Sequence, residues 1–304
     1  MFFSIVICTY NPNEQLLKEV VDAVMDQDFP KQNYEVIIID NNSRNAVGDY
    51  TFIKSNPGLI CRLEALQGLA FARITGIKAT KSDRIVFVDD DNILSTDYLK
   101  NLQELVNKFP SVGVWGPGVI NVKYSHHAPE WIRLNYASLF QEKNHQYTQY
   151  GSVVGWPDYY PAGSGMVVRK DILQMYMNQF EAGALTATGR KGNSLASAED
   201  SQIVWTAVKM GLAAGTSPLL KLKHVIPESR LSRKYLAALN YGISSSYKAA
   251  LSEMFPELKP SFTKRTLIQK FNFFIKMILR SKGNPLLFYR FYTVENGWFK
   301  GLEK

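Results

Sequence analysis

The chain has 304 residues, of which 46% are hydrophobic and 20% charged, and this composition excludes gross disorder. A chain of this length can bury a sizeable core and predicts one large domain or two small ones. No apolar stretch reaches the roughly 18 residues that a membrane-spanning helix needs, so we predict no such helix. The formal net charge is +8 at pH 7, and it is unevenly distributed along the chain.

The chain begins with an apolar run that lacks the basic region and the small-residue cleavage site of a secretory signal. We therefore predict a first strand over residues 3–8. Cys8 and Cys61 each lie in an apolar run, which predicts reduced, buried cysteines in a cytoplasmic protein. A nucleophilic role for Cys8 is disfavoured because no histidine lies near it in the sequence.

Apolar runs and helical periodicity alternate over the N-terminal part of the chain. We predict a helix starting at Asn11, with Asn11 as N-cap, Pro12 at the first helical position and Glu14 closing a capping box. The strand-helix alternation that follows predicts an α/β fold with a mostly parallel, doubly wound sheet. The further predicted strands are 35–40, 59–63 and 84–88, and the further predicted helices are 69–79 and 95–109.

The pattern changes after residue 119. Residues 120–160 are rich in aromatic side chains and have little periodicity, and we predict a mixed, loop-rich region there. A loop of small residues at 183–198 precedes a predicted helix at 200–210. The remaining predictions are strands at 165–169 and 219–225, a helix after Arg230 and a helical C-terminal tail.

Polar side chains follow three of the predicted strands, at the end of each strand. Thr9 follows the first, Asp40 ends the second, and Asp89, Asp90 and Asp91 follow the fourth. The carboxyl ends of parallel strands meet at one edge of a sheet, where ligands bind. Carboxylates there can hold a divalent cation and, through it, a diphosphate. An acidic surface turn is the alternative explanation of the three aspartates.

Short stretches along residues 2–235 carry a family resemblance: 6–11, 40–43, 68–73, 89–91, 163–166 and 199–200. In this order they resemble a family-2 glycosyltransferase with the A-type nucleotide-diphospho-sugar transferase fold. The resemblance implies a catalytic domain over 1–235, with a nucleotide-sugar-binding half at 1–119 and an acceptor and catalytic-base half at 120–235. A helical, basic extension would follow at 236–304.

The resemblance implies a donor site for a nucleoside-diphosphate sugar, with a UDP-sugar favoured. Thr9 and Asp40 would contact the base and ribose, and Arg73 would help to fix the base. Asp89 would face the ribose, with Asp90 beside it among the donor-binding residues. Alternatively, Asp40 begins a turn, Thr9 caps its strand, and Arg73 is an exposed helix residue paired with an acid.

The resemblance also implies a metal and a catalytic base. Asp91 would coordinate Mn²⁺ or Mg²⁺, and His224 is a candidate further ligand, although a lone histidine can equally be structural. Gly163 and Gly165 would let the backbone approach the donor sugar. Asp200 would be the base, taking the proton of the attacking hydroxyl. One base and one metal imply a direct displacement that inverts the anomeric centre.

Two features remain open between a functional and a structural interpretation. Asp200 also fits a capping box that begins at Ser197 and opens the next helix, in which case Glu199 and Asp200 need no chemical role. Trp156, Tyr159 and Tyr160 can bind acceptor sugars, with Glu199 orienting the acceptor, or they can belong to a packed subdomain.

The tail carries most of the net charge, with nine basic and two acidic side chains in residues 261–304. Its basic residues flank a helical apolar stripe, so the segment 264–281 can lie on an anionic membrane surface or pack on the catalytic domain. No motif indicates a nucleic-acid partner. The stripe comprises Leu267, Ile268, Phe271, Phe274, Ile275 and Ile278, bordered by Lys264, Lys270, Lys276 and Arg280.

The sequence therefore predicts an inverting, metal-dependent glycosyltransferase of the cytoplasm or the inner membrane face. Its acceptor would be a saccharide or a lipid-linked hydroxyl, in the synthesis of a surface polysaccharide or glycoconjugate. Two alternatives are a nucleotide-sugar or glycan-binding module without turnover and a sugar-nucleotide pyrophosphorylase. The second needs a glycine-rich, basic loop after the first strand, and residues 9–14 are neither.

Overall fold

The computed structural model describes residues 2–192, 194–258 and 266–302. One sheet runs through the molecule, and helices pack on both of its faces. Across these described residues, no helix has both the length and the apolar character that crossing a bilayer demands.

The strands of the sheet are hydrogen-bonded in the order β3-β2-β1-β4-β9-β6-β10-β5, with β7 added to β6 and β8 added to β10. Strands β1 to β4 are joined by parallel pairings, and so are β6 and β10. Strand β9 runs antiparallel to both β4 and β6, so these two point the same way. This confirms the predicted, mostly parallel α/β sheet. The strands are β1 Phe3–Thr9, β2 Tyr34–Asp40, β3 Leu59–Leu63, β4 Arg84–Asp89, β5 Asn92–Leu94, β6 Val112–Tyr124, β7 Lys143–Asn144, β8 Gln149–Gly151, β9 Val167–Arg169 and β10 Ala213–Ile226.

The helices bury one apolar face each against this sheet or against one another. In the first of them, residues 17, 20, 21 and 24 are buried, which is the spacing of three and four that one face of a helix requires. The helices are α1 Glu14–Met25, α2 Thr51–Lys54, α3 Leu69–Ala79, α4 Tyr98–Lys108, α5 Glu130–Tyr136, α6 Lys170–Glu181, α7 Glu199–Lys209, α8 Arg233–Met254, α9 Leu267–Ser281 and α10 Pro285–Leu302.

Two apolar clusters fill the space on the two faces of the sheet. One joins β1 and β2 to α1 and α4, and the other joins them to α3, α6 and α7. Strands β1 and β2 are buried along their whole length, because helices cover them on both sides. Each fully buried Val, Leu, Ile or Phe contributes about 1.5–3 kcal/mol, so these clusters fix the positions of the strand ends.

The start of α1 differs from the prediction. The N-cap is Asn13, whose Oδ1 accepts the Leu16 N–H at 2.9 Å, so the prediction of Asn11 as N-cap is wrong. Asn11 has a φ of +49° and accepts the Arg44 N–H, while its own N–H donates to Ser43 Oγ, both at 2.8 Å. Asn11 therefore ties the loop after β1 to the turn after β2.

Strand β6 was not predicted, because three glycines interrupt its apolar pattern. A Cβ on Gly116 would lie 2.4 Å from Pro161 Cβ, and one on Gly118 would lie 2.6 Å from the Ser217 carbonyl carbon. The glycines let neighbouring segments approach the strand closely. Because they have no side chains, they also interrupt the apolar pattern from which a strand is predicted.

Both cysteines are free within the described part of the chain; Cys8 is buried as predicted, but Cys61, near the sheet edge in β3, is only partly buried. Cys8 is 8% exposed, and burial raises the pKa of its thiol to about 12. A thiol with that pKa is protonated at neutral pH, which argues against a nucleophilic role.

Helix α8 joins the C-terminal helices to the rest of the molecule. Its Leu236 and Leu239 pack with Ile132 and Phe140, and its last turn packs beside α7. The predicted domain boundary between residues 235 and 236 lies within this helix. Helix α10 packs along α8, and a Cβ on its Gly301 would lie 2.2 Å from the Ser245 carbonyl oxygen.

Candidate functional site

A cavity of about 250 Å³ lies at the carboxyl ends of β1, β4 and β10. It brings together most of the site residues that the sequence predicts, from segments as distant as β1 and β10. The predicted residues that line it are Thr9, Arg73, Asp89, Asp90, Asp91, Gly163, Glu199, Asp200 and His224. The predicted residues outside its lining are Asp40, Trp156, Tyr159, Tyr160 and Gly165.

Polar side chains from β1 and β4 form one wall of the cavity. The Thr9 hydroxyl donates to Asp90 Oδ2 at 2.5 Å, which links the ends of the two strands. Asp89 accepts a hydrogen bond from the Ser164 hydroxyl at 2.6 Å. Burial, together with the negative charge of Asp91, raises the pKa of Asp90 to about 7. Three acidic side chains thus follow one another along this wall, and each has a different hydrogen-bond and charge environment.

Asp91 lies between a histidine and an arginine. Its Oδ1 is 3.5 Å from His224 Nε2, and its Oδ2 accepts from Arg230 Nη1 at 2.7 Å. Burial disfavours ionisation of Asp91, but the hydrogen bond and charge of His224 and the charge of Arg230 outweigh it. The pKa of Asp91 is therefore held well below its usual range, and the group is a carboxylate at neutral pH.

The donor atoms of Asp91 and His224 fit a divalent cation. His224 Nδ1 lies 2.8 Å from the Phe140 carbonyl oxygen, which is an acceptor only, so Nδ1 carries the hydrogen. Without a cation, Nε2 can carry a second hydrogen and donate it to Asp91, whereas in the neutral ring Nε2 keeps its lone pair on the side of Asp91, the arrangement typical of a histidine ligand. In the part of the chain that the structure describes, no three His, Cys, Asp or Glu side chains converge as a metal site. A cation here would therefore need further oxygen ligands, such as those of a diphosphate.

A buried ion pair joins two other residues of the cavity lining. Arg73 Nη1 is 3.2 Å from Glu199 Oε1, and the two side chains are 3% and 2% exposed. The Arg73 guanidinium also lies 5.2 Å from the centre of the Phe87 ring. Burial alone would lower the pKa of Arg73, but the charges of Glu199 and the neighbouring carboxylates outweigh burial, so the pKa is raised overall. Arg73 is therefore paired with an acid, as the alternative predicted, but it is buried and not exposed.

Asp200 is in the first turn of α7 and lines the cavity. Its Oδ2 accepts the Gly163 N–H at 3.1 Å, and its Oδ1 accepts the Ser201 N–H at 2.7 Å. The capping box that could begin at Ser197 does not form, because the N-cap is Ala198 and makes no side-chain hydrogen bond. The structure thus removes the simplest structural explanation for a carboxylate at Asp200.

The two glycines of the 163–166 turn have different roles. A Cβ on Gly163 would lie 2.4 Å from Arg73 Nη2, so a side chain here would displace the buried guanidinium from its place under the turn. Gly165 has a φ of +69°, and its carbonyl accepts from the Tyr98 hydroxyl at 2.5 Å. Gly165 thus serves the local backbone conformation and packing rather than the cavity surface.

Asp40 is placed as a turn residue. It is 3% exposed, and its two oxygens accept from the Ser43 and Val47 amides, each at 2.9 Å. The turn alternative accounts for both oxygens, and its predicted contact with the donor stays a prediction. The neighbouring Asn41 does line the cavity, where its Oδ1 accepts the Gly68 N–H at 2.8 Å.

The three aromatic residues predicted on the acceptor side pack together instead of opening onto the cavity. Tyr160 is fully buried, and its hydroxyl bonds to the backbone of Val153. Trp156 packs edge-on against Trp205 and Tyr160, with ring centres 6.2 and 5.7 Å apart, and Tyr159 packs against Tyr160 at 5.3 Å. For Tyr160, the packed-subdomain alternative is the one that the burial favours.

Arg230 lines the cavity although no motif in the sequence indicates it, and Arg190 and Lys191 of the predicted small-residue loop at 183–198 line it too. The loop reaches the start of α3, where the Thr188 and Arg190 carbonyls accept from the Ala70 and Leu69 amides at 3.1 and 3.3 Å. Arg230 follows β10 in a short 3₁₀ turn. No motif surrounds it, so only its position after the strand that carries His224 could have indicated it.

Comparison with known proteins identifies the family. Residues 4–176, more than half of the chain, match the model of the family described as Glycosyl transferase family 2. One similar protein is the poly(ribitol-phosphate) β-N-acetylglucosaminyltransferase TarS of Staphylococcus aureus, 27% identical over 146 residues, which is 44% of this chain and 25% of TarS. Another is a poly(ribitol-phosphate) β-glucosyltransferase of Bacillus spizizenii, 33% identical over 103 residues, which is 33% of this chain and 16% of that protein. The matches thus span a quarter or less of these relatives.

Solved structures share the fold. The crystal structure of S. aureus TarS 1-349 matches with a TM-score of 0.50 and 17% identity, over 100% of this chain and 90% of that one. The mannosyltransferase PcManGT of Pyrobaculum calidifontis, solved with GDP-Man and Mn²⁺, matches with a TM-score of 0.56 and 17% identity, over 97% of this chain and 73% of that one. They confirm the predicted fold, and the family match over residues 4–176 shows that the chain belongs to glycosyltransferase family 2.

Proposed function

We propose that this chain is an inverting, metal-dependent glycosyltransferase that moves a hexosyl group from a nucleoside-diphosphate sugar to an acceptor hydroxyl. The observation that carries the proposal is the single cavity into which Asp89, Asp91, His224 and Asp200 converge. A cation site and a candidate base lie on its walls, as this chemistry requires.

The donor would lie between β1, β4 and α3. Thr9, Asp89 and Asp90 are the polar groups there that can meet the ribose, and a UDP-sugar is the donor we favour. Asp40, held in its turn, would shape the base pocket through the backbone of Asn41 more readily than by its own carboxylate. The Mn²⁺ and GDP-Man of PcManGT support a nucleotide-sugar and a divalent cation without deciding the base.

Asp91 and His224 would hold Mn²⁺ or Mg²⁺. Bound there, the cation would neutralise charge as it develops on the leaving diphosphate. The carboxylate of Asp91 is ionised and paired with Arg230, and the Phe140 carbonyl orients His224 toward it. These residues position the phosphates, and Gly163 brings the Asp200 carboxylate to the side of the cavity where an acceptor would enter.

Asp200 would take the proton of the acceptor hydroxyl as that oxygen attacks the anomeric carbon. The Gly163 and Ser201 amides hold its two oxygens and so fix the direction of the carboxylate. Arg73, held by its ion pair with Glu199, packs closely against Gly163 and so supports this turn. Attack from the face opposite the diphosphate would invert the anomeric centre.

The relatives' names describe the transfer of hexosyl groups to poly(ribitol-phosphate). We accordingly propose a saccharide, polyol-phosphate or lipid-linked acceptor in the synthesis of a surface polysaccharide or glycoconjugate. The reaction would take place in the cytoplasm or at the inner face of the membrane. A pyrophosphorylase is disfavoured because the loop after β1 offers Tyr10 and Asn11 where that class needs basic and glycine residues.

The metal assignment predicts a thermal shift that depends on both ligands. UDP with Mn²⁺ should raise the melting temperature of the wild type more than UDP alone, because a ligand that binds only the folded state stabilises it. Asp91→Asn should lose the Mn²⁺-dependent part of the shift. Asp83→Asn removes an exposed carboxylate just before β4, at the opposite end of that strand, and should behave as the wild type. An undiminished Mn²⁺ effect in Asp91→Asn contradicts the assignment.

We further propose that α9 lies on an anionic membrane surface. Its solvent-facing side carries Ile268, Phe271 and Leu279 at 73%, 64% and 71% exposure, while Met277 on the other side is buried. Basic residues of the tail supply attraction to anionic lipid. Lys264 lies outside the described residues, as do the side chains of Leu267 and Lys270, and Arg280 is 3.9 Å from Glu295 of α10.

This proposal predicts binding to vesicles that contain phosphatidylserine, weakening as salt is raised. Changing Ile268, Phe271 and Leu279 to serine should remove most of the binding measured by co-sedimentation. Leu134→Ser is the control, because Leu134 is 74% exposed but belongs to α5 and not to α9. Equal loss in the control, or a concentration-dependent dimer that the triple variant abolishes, would show that α9 binds something other than lipid.

A further inference from the structure

Arg230 forms an ion pair with Asp91, the carboxylate that we propose as a ligand of the cation. Its Nη1 lies 2.7 Å from Asp91 Oδ2, while the other oxygen of Asp91 faces His224 Nε2 at 3.5 Å. The guanidinium therefore holds Oδ2, while Oδ1, on the side of His224, accepts from the Asn92 side-chain amide at 2.7 Å. In this arrangement it supplies positive charge next to Asp91, as a bound cation would.

The contact with Asp91 is more accessible from the cavity than the buried Arg73 pair. The Arg230 side chain is 23% exposed and lines the cavity, whereas that of Arg73 is 3% exposed. Among the described residues, the side-chain hydrogen bond of Arg230 is the one to Asp91, made through Nη1. The other N–H groups of its guanidinium are then available to a ligand in the cavity.

We propose that Arg230 exchanges partners: it pairs with Asp91 before the cation binds, and it moves to the donor diphosphate once cation and donor are both present. The inference rests on the proposed cation site. Two positive groups on one small carboxylate repel each other, so a cation that arrives alone must displace Arg230 without offering it another anion. A diphosphate supplies that anion, and its oxygens suit the fork of an arginine.

The exchange makes cation and donor bind cooperatively. Each ligand removes part of the obstacle to the other, and the coupling must be equal in both directions. Arg230 would thus discourage the cation from occupying the site without donor, and it would hold the diphosphate when both are bound. The role is one of positioning and coupling, separate from the proton transfer assigned to Asp200.

Calorimetric titration of Mn²⁺, with and without UDP, tests this coupling. In Arg230→Gln, Mn²⁺ alone should bind on the order of tenfold tighter than to the wild type, and UDP in the presence of Mn²⁺ should bind on the order of tenfold weaker. Arg230→Lys keeps the charge and should keep Mn²⁺ binding weak. Lys234→Gln removes one charge from the start of α8 and should match the wild type, which separates the specific contact from net charge.

Unchanged or weaker binding of Mn²⁺ to Arg230→Gln would overturn the exchange, provided that a thermal melt shows the variant folded. Failure of the proposed cation site has a different signature, since the wild type would then bind no Mn²⁺ even with UDP present. An increase in Mn²⁺ affinity confined to Arg230→Gln supports the inference before any sugar transfer is measured.

Discussion

Asp200→Asn is expected to reduce sugar transfer by about 10²–10⁴-fold, because the amide cannot take the proton of the acceptor hydroxyl. The substitution preserves the shape of the side chain and an oxygen that can accept the Gly163 N–H, now 3.1 Å from Oδ2. Binding of UDP and Mn²⁺ should therefore change little. The loss should appear in kcat, with the KM for the donor close to that of the wild type.

Asp171→Asn is the matched control for this substitution. Asp171 is in the first turn of α6 as Asp200 is in the first turn of α7, and each accepts the N–H of the following residue at 3.0 and 2.7 Å. The control reproduces the loss of charge at a helix start but lies outside the cavity lining. Full turnover in Asp200→Asn would remove Asp200 as the base. Donor binding without turnover in the wild type would favour the binding-module alternative.

The strand ends could be predicted from the sequence because buried strands are recognisable as short apolar runs. In a parallel sheet, the carboxyl ends of such strands lie at one edge. Thr9 pairs with Asp40 and Cys8 with Asp89 in the observed register, so the polar groups after β1, β2 and β4 do share one edge. This rule for parallel sheets does not predict the direction in which each side chain points. Asp40 turns back into its own loop, while Asp91 turns toward the cavity.

The other half of the site depends on contacts between residues far apart in sequence. Arg73 and Glu199 are separated by 126 positions, and neither has a local signal of its partner. Arg230 reaches Asp91 across 139 positions from a turn without a motif. The three aromatic residues at 156–160 show the same limit, because an aromatic side chain that packs and one that binds sugar look identical in sequence.

Arg73→Met is expected to lower the free energy of unfolding by about 3–5 kcal/mol, since it leaves Glu199 buried without its partner. Lys78→Met provides the control on the same helix. Lys78 pairs with Glu181 at 2.8 Å, but both side chains are more than half exposed, and such pairs contribute only about 0–1 kcal/mol. Urea unfolding at a fixed pH measures both variants, and equal losses in the two would contradict the importance of burial.

A second substitution separates the uncompensated charge from lost packing. Adding Glu199→Gln to Arg73→Met removes the unpaired charge and keeps an acceptor for the Ala198 N–H, so it should recover much of the lost stability.

The pH dependence of the free energy of unfolding tests the same explanation. Burial raises the pKa of Glu199, and Arg73 opposes that rise, so Arg73→Met should raise the folded-state pKa further above the unfolded value. The folded variant then binds a proton more tightly than the unfolded chain, and its free energy of unfolding should increase as the pH falls from 8 toward 5. A deficit that stays constant over that range, or that the second substitution deepens, would mean that Arg73 stabilises the fold by packing on Phe87 and the Gly163 turn and not by its charge.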